Sequence, residues 1–197
     1  MKNLVIAGAV ALAVSAVPAF AQNARKPAGT QEAKKPAAAA MKADDHFVMT
    51  AAQAGMAEVE LGKMASEKAT KDDVKKFGQR MVDDHTKAGD ELKSIAQAKN
   101  IVWPTDLDPK HRAVRDRLMK LTGEGFDRAY MQEMVGGHQK VAAMLKTEST
   151  SGKDPEIKAW AAKTLPTVED HLKQAREISH EVVGTSGTAK PKAKSKP

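Results

Sequence analysis

The stretch VKKFGQRMVDDHTKAGDELKSI, Val74 to Ile95, decides the fold class. Val74, Phe77, Met81, His85, Ala88, Leu92 and Ile95 follow one another at steps of three and four. That is the period of one helix face, whereas a half-buried strand would alternate at every second residue. Lys, Arg, Asp and Glu fill most positions between them, so the other face is solvated. Just upstream, Thr70 stands where an N-cap is needed, with Asp73 three residues on in capping-box position. The helix is expected to end near Asn100.

The same period extends outward in both directions. Upstream, a helix is predicted from about Asp45 to Lys68, with Phe47, Ala51, Ala54, Glu58, Leu61 and Ala65 on one face. Downstream, a loop runs through Trp103-Pro104, and Asp108-Pro109 supplies an N-cap and first-turn proline for a short helix to about Leu121. A third long helix follows from about Glu124 to Ser149, with Phe126, Tyr130, Met134, His138, Val141 and Leu145 inward. Asp154-Pro155 repeats the start signal for a fourth, to about Val182, with Ile157, Ala161, Thr164, Val168, His171, Ala175 and Ile178 inward. Pro166 inside it predicts a kink, because proline removes a backbone hydrogen bond.

The chain is therefore all-α. Four long helices, a tight turn in each pair and one crossover with a short extra helix make an antiparallel four-helix bundle. With four Phe, two Trp and one Tyr, the core is expected to be mostly Ala, Leu, Val, Ile and Met. A weak repeat agrees: Val74 precedes His85 by 11 residues and Ile157 precedes His171 by 14, close to three and four whole turns. Both histidines follow an aspartate, Asp84 and Asp170, so the chain reads as two helical hairpins related by a pseudo-twofold.

The ends are of a different kind. Residues 1–21 have the form of a cleavable signal peptide: Lys2, an apolar run from Leu4 to Val17, Pro18, then Ala19-Phe20-Ala21. That run of 14 residues is short of the roughly 20 that span a bilayer. Residues 22–43 read as a disordered Ala/Lys/Pro linker, 44–183 as the helical domain and 184–197 as a disordered Lys/Pro tail. Linker and tail each carry a net charge of +4 and Lys2 one more, leaving 22 basic and 24 acidic residues between Asp44 and Val183. The basic pI thus belongs to the ends. It points to an anionic envelope surface as partner of the tails, and the folded part offers no aromatic-basic surface for nucleic acid. The expected location is the periplasm, with cleavage after Ala21 and peripheral contact with the outer membrane. No transmembrane segment is expected in the mature chain, and the sequence says nothing of oligomeric state. The chain has no cysteine, which excludes disulfides, thiolate ligands and a cysteine nucleophile.

Each long helix puts one polar residue into its apolar stripe near mid-length: Glu58, His85, His138 and His171. Glu58 lies 12 residues before Thr70 and His85 lies 15 after it, a mismatch of about 4.5 Å along the helices. His138 and His171 lie 14 before and 19 after Gly152, a mismatch of about 7.5 Å. The four are expected near one level. Three imidazoles and a carboxylate suit a transition-metal ion: Fe, Zn, Mn or Cu. The competing reading is a metal-free polar layer that fixes helix register, with the histidines bonded to Glu58, Asp84, Asp170 or water. No nucleophile elbow or phosphate-cradling loop is present.

Four segments carry a resemblance: Ala54-Gly55-Met56-Ala57-Glu58-Val59-Glu60-Leu61-Gly62, Arg80-Met81-Val82-Asp83-Asp84-His85, Phe126-Asp127-Arg128-Ala129-Tyr130-Met131, and Thr164-Leu165-Pro166 with His171. Over about residues 44–182 the chain resembles the DUF4142 family, exported bacterial proteins often described as outer-membrane proteins. The resemblance implies a ferritin-like bundle and an envelope location, with no established reaction. Where the family has an acidic residue before the third-helix histidine, this chain has Gly136-Gly137. Ferroxidase chemistry does not follow, since a di-iron carboxylate site needs Glu-x-x-His on two helices. Here Glu177 to His180 is the only such pair, far from Glu58. The functional expectation is a periplasmic bundle that binds a metal ion in its core and serves envelope or oxidative stress. The alternative is a metal-free scaffold or interaction module of the envelope.

Overall fold

The structure, a computed structural model, describes residues 43–184. The expected signal peptide, the expected linker up to residue 42 and the expected tail from residue 185 lie outside the described residues. Five helices and no strand occur among them: α1 (Ala43–Lys68), α2 (Asp72–Ala98), α3 (Pro109–Met119), α4 (Gly123–Ser151) and α5 (Pro155–Gly184). The periodicity placed all five within two residues at nearly every boundary. α5 continues through Pro166. No described helix is long and apolar enough to cross a membrane.

α1 packs along α2 and α4 along α5, and the two hairpins meet through α1 with α4 and α2 with α5. α3 lies against α1 and α4. Gln53 fastens the crossover: its side-chain amide donates to the Asp106 carbonyl at 2.9 Å and accepts from the Asp108 backbone N–H at 2.7 Å. Asp108 caps α3 as its sequence signals, accepting from the His111 N–H at 2.9 Å. Asp154 does the same for α5, accepting from Glu156 and Ile157.

α2 starts otherwise than its sequence implies. Its N-cap is Lys71 and no side chain caps it. Thr70 instead donates its hydroxyl to Asp127 Oδ2 at 2.5 Å, while the Thr70 and Lys71 N–H groups each donate to Asp127 at 3.0 Å. A buried carboxylate of α4 thus holds the α1–α2 turn. The other turn is held the same way: Asp44 of α1 accepts from Lys153 at 3.1 Å and from Asp154 at 2.6 Å. Asp44 precedes Thr70 by 26 residues and Asp127 precedes Lys153 by 26, so the twofold relation is carried by these aspartates as well. Each hairpin closes the turn of the other.

The core is more aromatic than composition implies. Phe47, Phe77, Phe126, Tyr130 and Trp160 are all buried, and Tyr130, Phe77 and Phe126 are the largest fully buried side chains. Few aromatics are present, but five of the six among the described residues are buried, where each ring removes much apolar surface from water. α1 and α2 approach to backbone contact at two glycines. A Cβ on Gly62 would stand 2.6 Å from the Gly78 carbonyl oxygen, and one on Gly78 would stand 2.8 Å from that of Gly62.

Two apolar clusters form. One contains Leu61, Phe77, Met81, Tyr130, Met134 and Ala175; the other contains Ala51, Leu92, Leu145, Trp160 and Val168. On every long helix the inward polar residue sits between members of the two: Glu58 between Ala51 and Leu61, His85 between Met81 and Leu92, His138 between Met134 and Leu145, His171 between Val168 and Ala175.

Candidate metal centre

The polar layer is buried: Glu58 is 5% exposed, His85 8%, and His138 and His171 0%. The three imidazoles form a nearly equilateral group, with ring centroids 5.6, 5.3 and 5.5 Å apart. One nitrogen from each lies within 4.8 Å of the others. In a tetrahedral shell with bonds of about 2.0–2.1 Å, neighbouring nitrogens stand roughly 3.4 Å apart, closer than the limit of 4.8 Å within which these three lie.

Each imidazole has an outer partner that can only accept a hydrogen bond. His138 Nδ1 lies 2.8 Å from the Met134 carbonyl oxygen, one helical turn back. His171 Nε2 lies 2.8 Å from Asp84 Oδ2 of α2. His85 Nδ1 lies 3.1 Å from Glu58 Oε2, although this contact lacks the alignment of a good hydrogen bond and leaves Oε2 unpaired. A neutral imidazole carries one N–H, and an acceptor on the outside draws it there. The lone pair then falls on the other nitrogen. Those others are His85 Nε2, His138 Nε2 and His171 Nδ1, all buried and all without a hydrogen-bond partner.

Burial disfavours the charged form of His85 and His171. Burial pushes the proton affinity of His171 down to about 4, the Asp84 hydrogen bond working against it and the other two imidazoles working with it. Burial likewise lowers His85, opposed by Glu58 and helped by His138. Burial resists ionisation of Asp84, but His171 and Arg80 outweigh it and hold its carboxyl below the usual range. Arg80 is 3.3 Å from Asp84 and 2.8 Å from Asp170, so Asp170 meets the arginine and not its neighbour His171.

All four residues expected from the sequence are brought together, in two different ways. The histidines face one another. Glu58 approaches the outer nitrogens, with Oε1 3.4 Å from His138 Nδ1 and Oε2 beside His85 Nδ1. The sequence offered Asp84 as a partner for the histidines but gave no sign of Arg80, which completes an Arg80–Asp84–His171 chain across two helices. Tyr130 was legible only as core, yet its hydroxyl is buried without a partner, and burial together with the Glu58 charge raises its pKa.

Two cavities reach the layer. One of about 430 Å³ lies against α1 and α2 and is lined at its inner end by Glu58 and His85. The other, about 340 Å³, lies between α1, α3 and α4 and touches Glu58 and Gly137. A Cβ on Gly137 would meet Glu58 Oε1 at 3.7 Å, an ordinary van der Waals contact, so this glycine lies against the Glu58 carboxylate.

The profile of the family described as Domain of unknown function (DUF4142) matches residues 29–178. Among solved structures, a DUF305 fragment from Deinococcus radiodurans superposes with a TM-score of 0.63 at 15% identity, covering 70% of this chain and 95% of its own. CopM in its Ag-bound form gives a TM-score of 0.58 at 20% identity, and in its Cu(II)-bound form 0.60 at 19%. Each of these covers 70% of this chain and 96% of CopM. At such identities the likeness is one of fold. No curated protein matches in sequence.

Proposed function

This chain belongs to the DUF4142 family, and from that premise we propose that it is an exported, ferritin-like bundle protein that holds one transition-metal ion at His85, His138 and His171. Glu58 is the carboxylate beside the layer, against the outer nitrogens of His85 and His138. Asp84 orients His171. The observation that carries this reading is three clustered, buried imidazoles, each with one ring nitrogen unpaired, two of them with the other nitrogen against an outer acceptor. Buried polar atoms are nearly always bonded, and leaving one unmet costs about 1–3 kcal/mol. A layer that served only helix register would gain by pairing them.

Imidazole ligands suit Cu, Zn, Fe and Mn in different geometries. Copper is the first ion to test, since a protein of similar fold was solved with Cu(II) and with Ag. The role that fits is metal holding in the periplasm under envelope or oxidative stress, with the basic ends of the chain attracted to anionic envelope surfaces.

The test is calorimetric titration of the metal-stripped chain with Cu(II), Zn(II), Fe(II) and Mn(II). At least one ion should bind saturably and raise the melting temperature, because only the folded state assembles the site. His138→Ala and His171→Ala should abolish that rise with helix content intact. Absence of binding tighter than about 100 μM for all four ions would return the chain to the metal-free scaffold reading.

A further inference from the structure

The larger cavity is walled by side chains that suit an organic molecule better than an ion. Ala51, Ala88, Leu92, Trp103, Trp160 and Val168 line it, exposed Lys63, Asp90 and Lys93 stand at its rim, and buried Glu58 and His85 close its inner end. An ion entering there would lose hydration against apolar walls. A cavity of about 430 Å³, mostly apolar with a few convergent polar groups, has the size and make-up of a small-molecule site.

Two glycines give independent support. Gly55 in α1 and Gly89 in α2 both line this cavity. Glycine inside a helix costs about 1 kcal/mol relative to alanine, so it calls for a reason. At Gly62 and Gly78 the reason is backbone contact. At Gly55 and Gly89 a Cβ would meet nothing within 4 Å. Helix packing does not require these two; what their missing side chains leave is open space in the cavity wall.

We infer that this cavity binds a small apolar molecule bearing an amine or similar hydrogen-bond donor. Its apolar body lies beside Trp103 and Trp160, and its donor turns toward the Glu58 carboxylate at the inner end. The site shares Glu58 and His85 with the proposed metal centre but its apolar wall is separate, so the EDTA-treated chain tests it without the ion.

The chain has two tryptophans, and both line the cavity, so their emission reports its contents. The experiment titrates the full, EDTA-treated chain with 1-adamantylamine and with adamantane-1-carboxylate, followed by tryptophan emission and calorimetry. The amine should bind saturably with a Kd below about 1 mM, and at least about tenfold more tightly than the carboxylate. Glu58→Gln should remove most of that preference while the emission change persists. Gly89→Leu, placed in open space, should abolish the emission change and leave helix content unaltered; Gly55→Leu serves as the second variant if the first melts early. Any stabilisation by Cu(II) or Zn(II) in the wild type should survive Gly89→Leu, which distinguishes the cavity from the ion site. No saturable response to the amine, equal affinity for the carboxylate, or undiminished binding in a well-folded Gly89→Leu or Gly55→Leu protein would each overturn the inference.

Discussion

At the scale of single residues, the histidines were legible because a polar side chain inside an apolar stripe breaks the pattern, and four breaks at one depth are hard to assign to chance. The sequence could not show which ring nitrogen is free. That depends on acceptors brought in by the fold: a carbonyl one turn back for His138, and a carboxylate of another helix for His171. Asp84 precedes His85 in the chain, yet it serves His171 of α5, because adjacent residues on a helix point about 100° apart. This gives the first prediction. Asp84→Asn keeps an acceptor near His171 but removes the charge that raises the ligand's basicity. Metal affinity should fall about 10–100-fold, measured by competition with a chelator of known affinity, while circular dichroism stays unchanged. Unaltered affinity would remove Asp84 from the site.

At the scale of elements, helix ends signalled by Asp-Pro pairs were read correctly because a cap is a local interaction. The start of α2 was misread because its acceptor is Asp127, 57 residues away from Thr70. A capping box cannot be told from a turn held by a distant carboxylate when both present a threonine. Asp127 is 1% exposed and receives two backbone N–H groups and a hydroxyl. Asp127→Ala should therefore cost about 2–3 kcal/mol in denaturant unfolding, more than an ordinary exposed cap. A loss under about 0.5 kcal/mol would show that water replaces the carboxylate in the turn. The opposite turn carries a pH effect. Burial, with the charges of Asp44 and Asp154, raises the pKa of Glu148. A carboxyl whose pKa is raised on folding destabilises the fold as pH rises through the interval between its unfolded and folded values. Glu148→Gln, which cannot ionise, should raise the melting temperature near pH 7. That gain should shrink as pH falls toward 4, where the wild-type acid is protonated in both states. A gain independent of pH would point to packing against Gly152 as its cause.

At the scale of the whole molecule, apolar periodicity was enough to find the inward faces and the polar level that crosses them, since it records which faces are buried; that this level divides the core into two clusters came from the fold. Periodicity does not record empty space, so neither cavity was visible in it. The polar level yields the last prediction. In the metal-free protein three buried nitrogens and one carboxylate oxygen go unpaired, and a half-satisfied polar network is worse for stability than an apolar one of similar volume. If the layer exists to hold an ion, the metal-free fold tolerates that cost for the sake of the site. Replacing it with Glu58→Met, His85→Leu, His138→Leu and His171→Leu together should join the two clusters into one core. Guanidinium unfolding in EDTA should then show a gain of about 1–4 kcal/mol over the wild type. Added Cu(II) or Zn(II) should no longer shift the melting temperature. The scaffold reading predicts the reverse: a layer that fixes register would leave the quadruple variant less stable, or with a broadened transition from loss of a unique packing. The two outcomes have opposite signs in the same measurement, so a stable but metal-indifferent variant supports the ion site, and a weakened one assigns the histidines to the architecture.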